Sequence, residues 1–139
     1  MIIIGRYLAS SIKPQSYRPE QKRLRKWLIN NKEHKCIICQ RQTPLYLLEC
    51  AHLKSRQYCT LKERNDTRVV QWMCRNCHKL YDSGNVAIHN EGNLEISSQF
   101  DVDKYKSFIN LNYDNTLNIN DYLKCKEYYD YHFNRVFKK

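Results

Sequence analysis

Two cysteines, a histidine and an aspartate lie close together in the stretch Cys74-Arg75-Asn76-Cys77-His78-Lys79-Leu80-Tyr81-Asp82-Ser83-Gly84. Its first four residues repeat the spacing of Cys36-Ile37-Ile38-Cys39. Such spacing lets a tight turn aim two thiolates at one ion, and two of these turns complete a tetrahedral zinc site. We therefore predict a structural zinc ion bound by Cys36, Cys39, Cys74 and Cys77.

The total cysteine content supports metal binding over disulfides. The chain has seven cysteines, and an odd number without an export signal argues against a complete disulfide framework. Cys50, Cys59 and Cys125 lack the paired spacing, so we expect them to be buried or free thiols.

Length and hydropathy limit the class of protein. A chain of 139 residues fits a single domain, and no apolar run approaches the roughly 18 residues of a membrane helix. The apolar start is broken by Gly5 and Arg6, which is unlike a signal peptide. We expect an intracellular protein, cytoplasmic or nuclear, without a membrane partner.

The positive charge is unevenly distributed. The net charge of +10 comes from 24 Lys and Arg against 14 Asp and Glu. Residues 1–39 carry a balance of +7, residues 40–84 a balance of +4, and residues 85–139 a balance of −1. This indicates either a polyanion bound by the first 84 residues or a solvated basic face.

Hydrophobic periodicity predicts the elements around the cysteine pairs. A basic helix over 19–31 begins at Pro19 and buries Leu24, Trp27 and Leu28. Between the cysteine pairs we expect, in order, a strand over 45–52, a polar loop over 53–67, a strand over 69–73 and a helix over 76–82 that ends at Gly84.

The segment after Gly84 is predicted to contain a hairpin and a helix. Residues 86–89 and 93–96 flank the turn Asn90-Glu91-Gly92. An apolar stripe over 122–137 predicts an amphipathic helix capped by Asn120 or Asp121, and we expect its aromatic residues to pack in the core.

Two histidines stand out by position. His52 ends the first predicted strand, and His78 directly follows Cys77. Asp82 lies four residues after His78, so one helical turn places the imidazole and the carboxylate on the same face. Such a pair suits Mn²⁺, Zn²⁺ or Mg²⁺. His34, His89 and His132 are expected to be structural or surface residues.

Three segments together resemble the HNH endonucleases. They are Cys36-x2-Cys39, the run Leu48-Glu49-Cys50-Ala51-His52-Leu53, and the run from Trp72 to Gly84. The similarity is closer to the branch found in restriction-like nucleases, in which an alanine precedes the first histidine and an aspartate follows the last by one turn. The hairpin and residues 128–137 are similar to that branch's tail, so the resemblance covers about residues 19–137.

The resemblance implies an α+β fold with a ββα-metal, treble-clef-like core. Residues 1–139 would form one HNH nuclease domain with a helix on each side of the core. Its parts would be an N-terminal arm (1–18), a basic helix (19–35), the zinc and HNH core (36–84), and a hairpin with a C-terminal helical segment (85–139).

The resemblance also implies roles for the two histidines. His52 would be the general base that activates water, and His78 with Asp82 would hold a catalytic Mg²⁺ or Mn²⁺ ion. The four-cysteine zinc would be scaffold. The substrate would be nucleic acid, most simply double-stranded DNA, and a homodimer could cut both strands. Basic residues near this site are expected to contact phosphates, namely Lys54, Arg56, Lys62, Arg64, Arg68, Arg75 and Lys79.

Two positions depart from the family pattern. Many members have a metal-binding residue where this chain has Ala51, and an asparagine that braces the hairpin loop where it has Val69. These departures favour an alternative, a catalytically inactive zinc-finger protein that binds DNA and keeps the fold. A third hypothesis is a protein-interaction module that uses the aromatic stripe over 122–137.

Overall fold

A computed structural model describes residues 18–109, 111 and 114–139. Most of the expected N-terminal arm therefore lies outside the described residues. The fold is α+β, as predicted, with two antiparallel two-stranded sheets. The described elements are α1 (Gln21–Asn31), β1 (Leu48–His52), α2 (Leu61–Arg64), β2 (Val70–Cys74), α3 (Arg75–Asp82), β3 (Val86–His89), β4 (Asn93–Ile96) and α4 (Ile119–Arg135). None of these helices is long and apolar enough to span a bilayer.

The first hairpin and the helix after it form the predicted ββα unit. β1 pairs with β2 so that Leu48 lies opposite Cys74 and His52 lies opposite Val70. Cys74 is both the last residue of β2 and the N-cap of α3, so the strand continues directly into the helix. This continuity fixes α3 relative to the end of β1, where His52 lies.

One apolar core connects this unit to the flanking helices. Leu24 and Leu28 of α1, Trp72 of β2 and Tyr129 of α4 are each at most 1% exposed and belong to the same cluster. The buried positions on α1 and α4 recur at three- and four-residue steps, which is the spacing of one helical face. The aromatic stripe of α4 is thus largely core, as expected.

Gly84 closes α3 and permits a close approach of the chain end. Its φ of +80° is a left-handed conformation that glycine adopts without cost from a side chain. A Cβ at this position would lie 2.2 Å from the carbonyl oxygen of Val136. Only glycine therefore fits where the end of α3 meets the segment after α4.

The first strand is shorter than predicted. Residues 45–47 form a 3₁₀ turn, and β1 begins only at Leu48. The guanidinium of Arg25 donates hydrogen bonds to the carbonyl oxygens of Leu45 (2.9 Å) and Leu48 (2.8 Å). β2 ends at Cys74, opposite Leu48, so residues 45–47 have no β2 partner.

The predicted loop over 53–67 contains a helix. Thr60 accepts a hydrogen bond from the Glu63 amide, and the Glu63 side chain accepts one from the Thr60 amide. This capping box begins α2 and has a recognisable sequence signature, Thr followed three residues later by Glu.

The bounds of four other elements differ from the predictions. β2 covers Val70–Cys74 rather than 69–73, because Thr67–Val69 forms a 3₁₀ turn. α1 covers Gln21–Asn31, so it begins two residues later than the predicted 19–31 and ends as predicted, because Lys32 has an extended backbone. α3 begins at Arg75 because Cys74 is its N-cap. α4 is capped by Asn118, whose side chain accepts hydrogen bonds from the amides of Asn120 and Asp121, and it ends at Arg135 rather than 137.

Candidate functional site

The four paired cysteines converge. The sulfur atoms of Cys36, Cys39, Cys74 and Cys77 all lie within 4.8 Å of one another. One pair comes from the loop after α1 and the other from the junction of β2 and α3. Ile37 donates a backbone hydrogen bond to the Trp72 carbonyl at 3.0 Å, which ties the first turn to β2.

The chemistry of this cluster fits a zinc ion. Hydrogen bonding with Cys36 lowers the pKa of Cys39 to about 7 and lowers that of Cys74, while it raises the pKa of Cys77. Four thiols this close share protons that a divalent cation displaces, and four thiolates are a zinc ligand set. The cluster could hold the predicted zinc ion.

A separate cleft contains the histidines singled out by position. It has a volume of about 760 Å³ and includes neither pair of zinc-type cysteines in its lining. Its lining residues are Arg18, Cys50, His52, Leu53, Ser55, Arg56, Gln57, Arg64, His78, Tyr81, Asp82, His132 and Val136. The structure thus brings His52, His78 and Asp82 to one cavity, from the end of β1 and one face of α3.

His78 lies between two carboxylates. Its Nδ1 is 2.7 Å from Oε1 of Glu49, and its Nε2 is 3.2 Å from Oδ2 of Asp82. A neutral imidazole has one N–H and can donate to only one of them. If the N–H is donated to Glu49, a cation could bind between Nε2 and the Asp82 carboxylate. Burial raises the pKa of Asp82, and such a cation would stabilise the ionised carboxylate.

His52 is almost fully buried at the edge of the cleft. It is 8% exposed, and its Nε2 has no hydrogen-bond partner among the described residues. Burial, followed by the positive charge of Arg18, lowers its pKa to about 4. The imidazole is therefore neutral at neutral pH and can accept a proton.

His132 also lines the cleft, although it was expected to be a structural or surface residue. It lies on α4, is 3% exposed, and accompanies Tyr129 on the buried face. Its Nε2 donates to the Tyr81 carbonyl at 2.6 Å, and its ring stacks on Tyr81 with centroids 3.5 Å apart. A polar residue on an apolar helical stripe was the only sequence signal for this position.

The free energy of unfolding is expected to decrease as the pH is lowered from 6.5 to 4, because of His52 and His132. Burial lowers the pKa of His52 and of His132 to about 4. At pH 5 the unfolded chain binds these protons and the folded chain does not, which costs about 2 kcal/mol for each histidine. Urea unfolding at pH 7 and pH 5 measures the loss.

The variant His132→Gln isolates one of the two contributions to this acid sensitivity. It should reduce the difference in unfolding free energy between the two pH values. An equal difference in both proteins would contradict the assignment of a lowered pKa to His132.

Two of the seven basic residues expected at phosphates line the cleft. They are Arg56 and Arg64. Arg56 is already paired with Glu20, at 2.6 Å between Nε and Oε2, and Glu20 is only 6% exposed. This pairing lowers the pKa of Glu20 and joins the start of α1 to the segment after His52. Arg56 therefore has a structural role whatever else it binds.

The other five basic residues lie outside the cleft lining. Lys54 pairs with Glu63 at 3.1 Å, and Arg68 pairs with Asp66 at 2.7 Å. The remaining three are exposed on the surface and are Lys62, Arg75 and Lys79. Arg18 also lines the cleft, although it was not among the seven residues predicted to contact phosphates.

The two positions that depart from the family pattern are apolar and fully buried. Ala51 and Val69 are both 0% exposed. The Val69 carbonyl accepts a hydrogen bond from the Leu53 amide at 2.7 Å, so this position supports the hairpin through its backbone.

Comparison with known proteins agrees with this architecture. Residues 36–89 match the family model described as HNH endonuclease. No curated protein gives a significant match to the chain. The matched residues include both cysteine pairs, the hairpin with His52, and α3 with His78 and Asp82. This part of the chain is similar to the HNH endonucleases.

Proposed function

We propose that the protein is a metal-dependent endonuclease that hydrolyses phosphodiester bonds in double-stranded DNA. One observation carries the proposal: a neutral, buried His52 shares a cleft with the His78 and Asp82 pair. A proton acceptor beside a candidate cation site is what hydrolysis of a phosphodiester requires.

His52 is proposed as the general base. It would take a proton from the attacking water while the scissile phosphate lies between it and α3. The products would carry 5′-phosphate and 3′-hydroxyl ends. The lowered pKa keeps His52 unprotonated in weakly acidic solution, so we expect the acid limb of the pH–rate profile below the ordinary histidine value of about 6.5.

His78 and Asp82 are proposed to hold Mg²⁺ or Mn²⁺. Mg²⁺ binds proteins through few ligands and keeps several waters, so two protein ligands in an open cleft suit it. When bound, such an ion supplies positive charge that stabilises the phosphate oxygens. Glu49, in contact with Nδ1 of His78, orients the ring so that Nε2 faces Asp82.

The path of the DNA is proposed to follow the cationic edge of the cleft. Arg18 and Arg64 line it and have no ion-pair partner in the described part of the chain. Tyr58, 60% exposed, lies directly after the lining residue Gln57 and offers an aromatic surface to a sugar or base. A homodimer is proposed for cutting both strands.

Arg64→Ala is expected to weaken DNA binding at a cost of about 1 kcal/mol in stability, because the Arg64 Nε donates one hydrogen bond to the Arg56 carbonyl at 3.2 Å. Loss of one phosphate contact should lower the slope of log K against log salt by about 1. Fluorescence anisotropy at several salt concentrations measures this slope. Lys124→Ala, an exposed position on α4 outside the cleft lining, is the matched control. Equal slopes for the two variants would place the DNA elsewhere.

The alternative function is a catalytically inactive zinc protein that binds DNA. The apolar, buried side chains of Ala51 and Val69 favour it, because neither can bind a metal or brace the loop by a side-chain hydrogen bond.

A cleavage assay separates the two functions. Supercoiled and linear DNA are incubated with the protein in Mg²⁺, in Mn²⁺ and in a chelator of divalent ions. The nuclease proposal expects nicked or linear product only with an added ion. DNA binding without cleavage under every condition would support the alternative.

A further inference from the structure

We infer that the Tyr81 hydroxyl is a positioning group for His52, acting through the main chain of Leu53. The inference rests on the proposed function of His52 as general base. Tyr81 lies on α3 between His78 and Asp82, and its hydroxyl donates a buried hydrogen bond to the Leu53 carbonyl at 2.8 Å. Leu53 directly follows His52.

Leu53 is held from two sides. Its amide donates to the Val69 carbonyl at 2.7 Å, and its carbonyl accepts from Tyr81. Leu53 and Tyr81 are each 1% exposed, so water cannot readily replace either bond. The first bond continues the hairpin, whereas the second connects the residue after His52 to the helix that carries the candidate cation site.

The Tyr81 side chain is itself fixed by α4. The His132 Nε2–H donates to the Tyr81 carbonyl at 2.6 Å, and the two rings are stacked at an interplanar angle of 10°. Because a carbonyl oxygen can only accept, the proton of a neutral His132 lies on Nε2. The stacked ring restrains the position of the tyrosine, and thereby of its hydroxyl.

These contacts make the Tyr81 side chain one of the groups that hold the two halves of the site together, beside the contact of Glu49 on β1 with His78 on α3. His52 lies at the end of β1, and His78 and Asp82 lie on α3. Val69 contacts the loop after His52 through its backbone carbonyl, which accepts the hydrogen bond from the Leu53 amide. Among the described residues, the side-chain hydrogen bond that joins this loop to α3 is the one donated by the Tyr81 hydroxyl.

The test is Tyr81→Phe, which removes the hydroxyl and keeps the ring. We expect kcat for DNA cleavage to fall at least about tenfold, because small misplacements of a reacting group are costly, while the Kd for DNA stays unchanged. Tyr128→Phe is the matched control. It also loses a tyrosine hydrogen bond, of 2.7 Å to Asp66, but lies outside the cleft lining.

A double-mutant cycle distinguishes positioning of His52 from a general structural effect. In the His52→Ala background, Tyr81→Phe should cause no further loss of kcat, because the group that it positions is gone. A loss of equal size in both backgrounds, or a Tyr81→Phe protein with wild-type kcat, would overturn the inference.

Amide hydrogen exchange tests the restraint on Leu53 without activity. Loss of the bond to the Leu53 carbonyl should loosen this residue and weaken the neighbouring bond from its amide to the Val69 carbonyl. Tyr81→Phe should speed exchange of the Leu53 amide, which Tyr128→Phe should leave protected. Unchanged protection in Tyr81→Phe would overturn the inference even if the protein proves not to cleave DNA. Absence of cleavage by the wild type with faster Leu53 exchange in the variant would instead contradict only the proposed function.

Discussion

His52→Ala is expected to lower the rate of DNA cleavage by about 10²- to 10⁴-fold, the usual contribution of a general base. The imidazole is neutral and buried at the edge of the cleft, and its buried Nε2 has no partner among the described residues, which leaves the hydrogen-bonding capacity that a general base needs. The alanine variant lacks this acceptor but keeps His78 and Asp82. Single-turnover cleavage in saturating Mg²⁺ measures the change.

DNA binding and folding should survive this substitution. The affinity should stay within a few-fold, because the cationic lining residues Arg18 and Arg64 are unchanged. His34→Ala is the control, since His34 is exposed and outside the cleft lining. If His52→Ala protein with a native circular dichroism spectrum cuts as fast as the control, His52 is not the base.

Removal of zinc is expected to unfold the protein. Structural zinc sites contribute about 10–16 kcal/mol of apparent binding free energy, which is as large as the whole folding stability of a typical domain, about 5–15 kcal/mol. Cys36 and Cys77 are both 0% exposed, so the cluster is continuous with the apolar core. A strong chelator should therefore abolish the cooperative thermal transition, and elemental analysis should find one zinc ion per untreated chain.

The variants Cys77→Ser and Cys59→Ser test which cysteines bind the zinc ion. Cys77 belongs to the four-sulfur cluster, whereas Cys59 is a buried thiol outside it whose sulfur donates to the Lys54 carbonyl. Only Cys77→Ser should lose zinc and the thermal transition. Stoichiometric zinc retained in Cys77→Ser, or lost in Cys59→Ser, would contradict the assignment.

Short-range patterns predicted most of the core. The two Cys-x-x-Cys turns led to the cysteine cluster, and the i, i+4 spacing led to the contact between His78 and Asp82. The end of α3 at Gly84, which has a left-handed backbone, was also predicted from the sequence. These features depend on residues a few positions apart, whose relative geometry is set by local backbone conformation.

Other features could not be read from spacing. At the start of β1, Arg25 donates hydrogen bonds to the carbonyls of Leu45 and Leu48, which lie 20 and 23 residues away in the sequence. Arg68 looked like a phosphate contact, yet it pairs with Asp66 and with Glu127 of α4. Asp66 is a local partner of Arg68, but the carbonyls bound by Arg25 and the Glu127 carboxylate bound by Arg68 are brought near only by the packing of separate elements.

The cysteine cluster, the hairpin-to-helix core and the resemblance to the HNH endonucleases could all be predicted, because cysteine spacing and helical periodicity are local properties of the chain. The tertiary structure alone decided which distant groups surround His52. Tyr81 reaches the Leu53 carbonyl 28 residues away, and His132 reaches the Tyr81 carbonyl 51 residues away. Burial of α4 against α3 creates these contacts, since a buried carbonyl must find a donor and the fold determines which donor is near.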